Sequence, residues 1–153
     1  MKAQYVNPFL TATMGLFRDF LGMEVEAGKP FILENPQDLS DVSALIGLAG
    51  ETTGAVVLSF SHDTALKVVS KMSGKTYAFL GSEVIDGVGE LVNIIAGNAK
   101  KDLQNFRIVI SLPGVITGNS YRINWPKSIP VICIPFTSDL GDFSVNVSLK
   151  EAV

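Results

Sequence analysis

From residue 84 to residue 104 the apolar side chains return every three or four positions: Val84, Val88, Leu91, Val92, Ile95, Ala99 and Leu103. That interval gathers them on one side of an α-helix and predicts a long helix over residues 82–105, with Ser82 as a possible N-cap. Leu10, Met14, Phe17 and Leu21 repeat the pattern nearer the start and predict a helix over residues 8–21. Asn7 is a favoured cap there, Pro8 suits the first helical position, and Gly22 is a stop. Between these two, Ser61 caps a further helix with Asp63 in its electropositive first turn. Ala65, Leu66, Val68, Val69 and Met72 form its apolar face, and Gly74 ends it.

The remaining apolar runs are short and read as strands. The first, over residues 24–33, is interrupted by Gly28-Lys29-Pro30. Residues 41–48 and 55–60 form a hairpin candidate around Gly50-Glu51-Thr52-Thr53-Gly54. Residues 107–110 and 115–117 precede a turn at Gly118-Asn119, and residues 130–136 and 143–149 follow it. Helix, strands, helix, helix, strands is the order of an α+β fold, three helices packed on a largely antiparallel sheet. The strands are not separated one by one by helices, and no glycine-rich phosphate loop follows any of them, which argues against a doubly wound nucleotide-binding fold. No linker, low-complexity tract or charge block divides residues 1–153, so a single domain is expected.

Composition narrows the class of partner. Apolar residues make up 47% and charged residues 18% of the 153-residue chain, a globular balance slightly rich in apolar groups, which makes a homo-oligomer plausible. The net charge is −3 and the 12 Lys and Arg residues are scattered, so the chain lacks the basic face that nucleic acid requires. No run approaches the roughly 18 apolar residues of a membrane span. The apolar stretch 9–21 is broken by Thr11, Thr13, Arg18 and Asp19, unlike a secretory core, so a cytoplasmic protein is expected. The one cysteine, Cys133, lies in the strand-like run Val131-Ile132-Cys133-Ile134 and reads as a small buried hydrophobe. His62 stands between Ser61 and Asp63 at a helix start, where consecutive residues cannot form a catalytic triad.

The candidate chemistry lies on the long helix. Asp86, Glu90, Asn93, Gly97, Lys100 and Gln104 fall within about 40° of one line along it, a narrow polar seam. A solvated face would look similar, but three features set this one apart. Gly87, Gly89 and Gly97 lie within the helix, where each costs about 1 kcal/mol relative to Ala, as if room were being kept for something. Part of that room could serve internal packing. Asp86 and Glu90 are like charges four residues apart, an unfavourable spacing, and Glu90 has no cation one turn away. Glu90 and Asn93, three apart, present a carboxylate and an amide side by side. Such a pair can hold a cation and orient a water. Neither group is a nucleophile here and an amide is no general base, so the pair suits catalysis by positioning.

These residues resemble the CheX phosphatases of bacterial chemotaxis, relatives of CheC and FliY. Asp86-x-x-x-Glu90-x-x-Asn93, followed by Ala96-Gly97, is similar to that family's motif, and Pro113 stands near the position of its downstream proline, a couple of residues early. The likeness extends to Phe20-Leu21-Gly22-Met23-Glu24, to Gly28-Lys29-Pro30, and to Ser59-Phe60-Ser61 with Thr64 to Val69. The first helix carries no second Glu-x-x-Asn, which resembles CheX rather than the two-site CheC. The resemblance implies a CheC/CheX-like fold and a phosphatase acting on the aspartyl phosphate of a phosphorylated CheY-type receiver. Asn93 would orient the attacking water and Glu90 would contact the receiver's active-site lysine. Asp86, Gly97 and Lys100 would support or dock. The protein would need no cofactor of its own, since the receiver brings its Mg²⁺. Two other readings stay open on the residues alone. One is a docking module that binds a receiver or a chemotaxis or flagellar complex without hydrolysis. The other is a divalent-cation site on Asp86 and Glu90, for which the helix supplies too few ligands.

Overall fold

The computed structural model describes residues 3–34, 39–103, 107–118, 121 and 123–151. In chain order these form α1 (Ala3–Leu21), β1 (Glu26–Ala27), β2 (Phe31–Ile32), β3 (Val42–Gly50), β4 (Thr52–Phe60), α2 (His62–Ser73), α3 (Ser82–Lys101), β5 (Ile108–Ile110), β6 (Gly114–Thr117), β7 (Ile132–Thr137) and β8 (Phe143–Glu151). All eight strands join one antiparallel sheet in the order β1-β7-β8-β4-β3-β5. β2 adds to β7 beyond β1, and β6 adds to β3 beyond β5. The expected α+β arrangement of three helices on an antiparallel sheet is therefore the architecture found.

Alternation along the strands divides the sheet into two faces. Val42, Ala44, Ile46 and Leu48 of β3, Val56, Leu58 and Phe60 of β4, and Phe143, Val145, Val147 and Leu149 of β8 point to the helices and are buried. Phe143 stacks on Phe17 of α1 at 4.8 Å and on Phe136 of β7 at 5.0 Å between ring centroids, which ties the helical layer to the sheet. The intervening positions include Leu45 and the buried Val57 but are otherwise mostly small or polar. Ser43, Ser59, Asn146 and Ser148 are all buried. Tyr121, on the connection from β6 to β7, donates its hydroxyl to the Ser40 carbonyl and lies 2.6 Å from Ser43 Oγ.

Local chemistry sets most boundaries as expected. Ser61 accepts from the Thr64 N–H at 3.2 Å and caps α2, and Gly74, at φ 74°, closes it with its N–H on the Ser70 carbonyl. Gly22, at φ 63°, follows the end of α1.

Several boundaries differ. α1 starts at Ala3, so Asn7 is no cap and Pro8 lies inside the helix. Tyr5 and Val6 are buried in the core, and that burial outweighs the hydrogen bond Pro8 cannot make. The β3–β4 hairpin is longer than expected, with strand structure up to Gly50 and again from Thr52. Gly54 is no turn residue but pairs with Leu149, where a side chain would run into the Ser148 carbonyl. α3 is capped by Gly81 rather than Ser82. A β-carbon on Gly81 would stand 2.9 Å from the Phe79 ring, and Ser82 is already helical. α3 ends at Lys101, and residues 104–106, including the expected helix end at Asn105, lie outside the described residues.

Candidate functional site

α3 lies across the helical layer with one side sealed. Val84, Val88, Leu91, Val92, Ile95 and Ala99 are fully buried against α1, α2 and the sheet. Helical geometry then turns Asp86, Glu90 and Lys100 outward, exposed, with Asn93 and Gly97 half-buried between them. The structure thus brings five of the six seam residues onto one solvent-facing ridge, and Gln104 lies outside the described residues. Asp86, Glu90 and Asn93 make no side-chain hydrogen bond or ion pair with any other described residue. Among the described residues nothing competes for the carboxylates and the amide.

The three glycines divide by role. A β-carbon on Gly87 would stand 2.7 Å from Val69 Cγ1 and 3.3 Å from Met72 Cε, so this glycine lets α2 and α3 approach. Gly89 faces Val115 and Pro113, at 3.4 and 3.8 Å from the same construction. These two serve internal packing. Gly97 meets nothing within 4 Å and leaves the ridge open one turn beyond Asn93.

A cavity at the N-terminal end of α3 is lined by Tyr77, Phe79, Gly81, Ser82, Glu83 and Val84 and does not include Asp86, Glu90 or Asn93. Sites for small molecules are concave. Exposed side chains along a helix suit a macromolecular substrate that brings its own cleft. Among the described residues no three His, Cys, Asp or Glu side chains are grouped to hold a metal ion. No helix there is long and apolar enough to cross a membrane.

Two features near α3 were not legible beforehand. Leu112 stands 90% exposed on the β5–β6 loop, and Phe79 is exposed in the loop before α3. Neither is distinguished in the sequence from a core residue. His62 and Cys133 behave as expected. The imidazole is an exposed neighbour of Asp63 at the start of α2, and Cys133 is buried.

The family model for the chemotaxis phosphatase CheX matches residues 42–137, from β3 through α3 to the end of β7. The chain belongs to this family. It is 33% identical over 154 residues to the CheY-P phosphatase CheX of Thermotoga maritima, covering 99% of both chains. Among solved structures it resembles the chemotaxis protein CheX of Vibrio vulnificus with a TM-score of 0.88 and 31% identity, covering 97% of this chain and 100% of that one. It resembles the CheX–CheY–BeF3–Mg²⁺ complex from Borrelia burgdorferi with a TM-score of 0.81 and 33% identity, over 96% of this chain and 98% of that one. A CheC/CheX-like fold and membership of a phosphatase family are therefore shown.

Proposed function

We propose that this protein hydrolyses the aspartyl phosphate of a phosphorylated CheY-type receiver, using Glu90 and Asn93 of α3. The observation that carries the reading is the Glu90–Asn93 pair, without a side-chain partner among the described residues, on a ridge whose opposite side is fully buried. Support comes from the Thermotoga maritima relative, a CheY-P phosphatase, and from the Borrelia burgdorferi CheX, which forms a complex with CheY.

Phosphoryl transfer to water needs positioning and charge stabilisation more than a protein nucleophile. When the ridge enters the receiver's cleft, the Asn93 carboxamide holds a water in line with phosphorus, opposite the aspartyl oxygen. The water oxygen bonds to phosphorus, the bond from phosphorus to the aspartyl oxygen breaks, the aspartate leaves as a carboxylate, and inorganic phosphate departs with the oxygen and both protons of the water. The receiver's Mg²⁺ neutralises the developing charge. Glu90 contacts the receiver's active-site lysine, a contact that fixes the register of the insertion. Asp86 supports that surface one turn earlier, and Gly97 and Lys100 dock one and two turns beyond Asn93. Residues 1–153 act as one such domain in the cytoplasm, where receivers are phosphorylated, and two copies form a homodimer. The exposed apolar pair Phe31 and Ile32 on β2 is consistent with contact between copies.

Phosphate release from a phosphorylated CheY-type receiver tests the reading, with wild type beside Glu90→Ala and Asn93→Ala. Both variants should remain folded and lose the acceleration. Binding of the phosphorylated receiver by wild type without faster decay would instead establish a docking module.

A further inference from the structure

We propose that Leu112 is an apolar anchor that seats the phosphorylated receiver beside the Glu90–Asn93 ridge and sets its affinity without taking part in hydrolysis. The inference rests on the reading above and adds a specificity-determining contact to it. An exposed leucine alone means little, since single apolar side chains are common on surfaces. Here the exposure is combined with rigidity and place.

The rigidity is visible on both sides of Leu112. Ser111 donates its N–H to the Gly47 carbonyl at 3.0 Å and accepts the Gly47 N–H on Oγ at 2.9 Å. The Ser111 hydroxyl donates to the Leu112 carbonyl at 2.9 Å. Pro113 restricts the backbone of Leu112, and Gly114 is already paired with Leu45 in the sheet. The loop is thus fixed while its largest apolar side chain is held out in water, 90% exposed. A loop whose backbone is ordered in advance loses little backbone entropy on binding.

The place follows from Gly89. Pro113 packs against this glycine, which immediately precedes Glu90 and lies one turn before Asn93, about 40° around the helix. The 111–113 loop therefore flanks the ridge on the Asn93 side. A specific protein interface covers about 800 Å² per partner, more than a narrow helical ridge offers. A receiver that admits the ridge to its phosphorylated aspartate must extend over the flanks, and this flank presents a leucine.

The test is steady-state phosphate release as a function of phosphorylated-receiver concentration for wild type, Leu112→Ser, Leu112→Met and Asn93→Ala. Leu112→Ser should raise KM about tenfold with kcat within about twofold of wild type, and Leu112→Met should restore KM to within about threefold. Asn93→Ala should lose kcat. If Asn93→Ala loses kcat but Leu112→Ser keeps the wild-type KM, the anchor is wrong and the phosphatase site stands. If Asn93→Ala retains full activity, the site itself is wrong. Sedimentation of Leu112→Ser adds a further check. A change in oligomeric mass would assign Leu112 to contact between copies and overturn the proposal.

Discussion

Gly87 and Val69 bring α3 and α2 into direct contact, with a β-carbon on Gly87 falling 2.7 Å from Val69 Cγ1. Valine is stiff at χ1 and cannot swing its methyl away cheaply. Gly87→Ala should therefore destabilise the fold by about 1–3 kcal/mol, the usual range for overpacking, despite alanine's better helix propensity. Gly89→Ala, where the nearest atom is 3.4 Å away, should be far milder. Urea unfolding midpoints of the two variants compare them directly, and equal midpoints would contradict the packing described.

Gly97 separates stability from function. Nothing lies within 4 Å of its missing side chain, so Gly97→Ala should stabilise the helix by about 0.5–1 kcal/mol. If the open ridge serves docking, the same variant should raise KM for the phosphorylated receiver. A more stable protein with unchanged KM would remove Gly97 from the docking surface.

How much of this was legible in the sequence depended on the range of the forces involved. The buried side of α3, from Val84 to Ala99, and its polar ridge were legible because helical period alone fixes which side chains share a side. The caps at Ser61 and Gly74 were legible because a few neighbouring atoms decide them. Asn7-Pro8 misled because Tyr5 and Val6, whose burial partners are distant in sequence, pull the helix past the proline. The glycines of α3 looked alike in one dimension. Only the packed structure shows that Gly87 and Gly89 face protein and Gly97 faces solvent. Leu112 could not be distinguished from a core leucine without the loop that holds it out.

Cys133 sits on β7, and burial pushes its thiol up, against the smaller opposing effect of a hydrogen bond with Ser144. Less thiolate forms near neutral pH, and reagents reach the sulfur poorly. A disulfide reagent should label the native protein slowly and the urea-unfolded protein quickly. Rapid stoichiometric labelling of the native state would contradict the burial.

Tyr121 makes a contribution to stability that falls at alkaline pH. Burial raises its hydroxyl above the ordinary value of 10.0, and Asp41 adds to this, against the hydrogen bond with Ser43. Because the folded pKa exceeds the unfolded one, the unfolded chain releases this proton first. The stabilisation is complete below about pH 10 and is lost as pH rises through the folded pKa. Tyr121→Phe gives up the contacts with Ser40 and Ser43, so it should be less stable than wild type at neutral pH, and the difference should narrow above about pH 10. Unfolding midpoints across that range check the sign.

The central claim is that Asn93 acts on the attacking water rather than on binding. Its most direct test is to measure, for Asn93→Ala and wild type, both affinity for a phosphorylated CheY-type receiver and the decay rate of the saturated complex. The expected result is affinity within about threefold of wild type and decay no faster than that of the receiver alone. Decay at the wild-type rate from the saturated Asn93→Ala complex would contradict it.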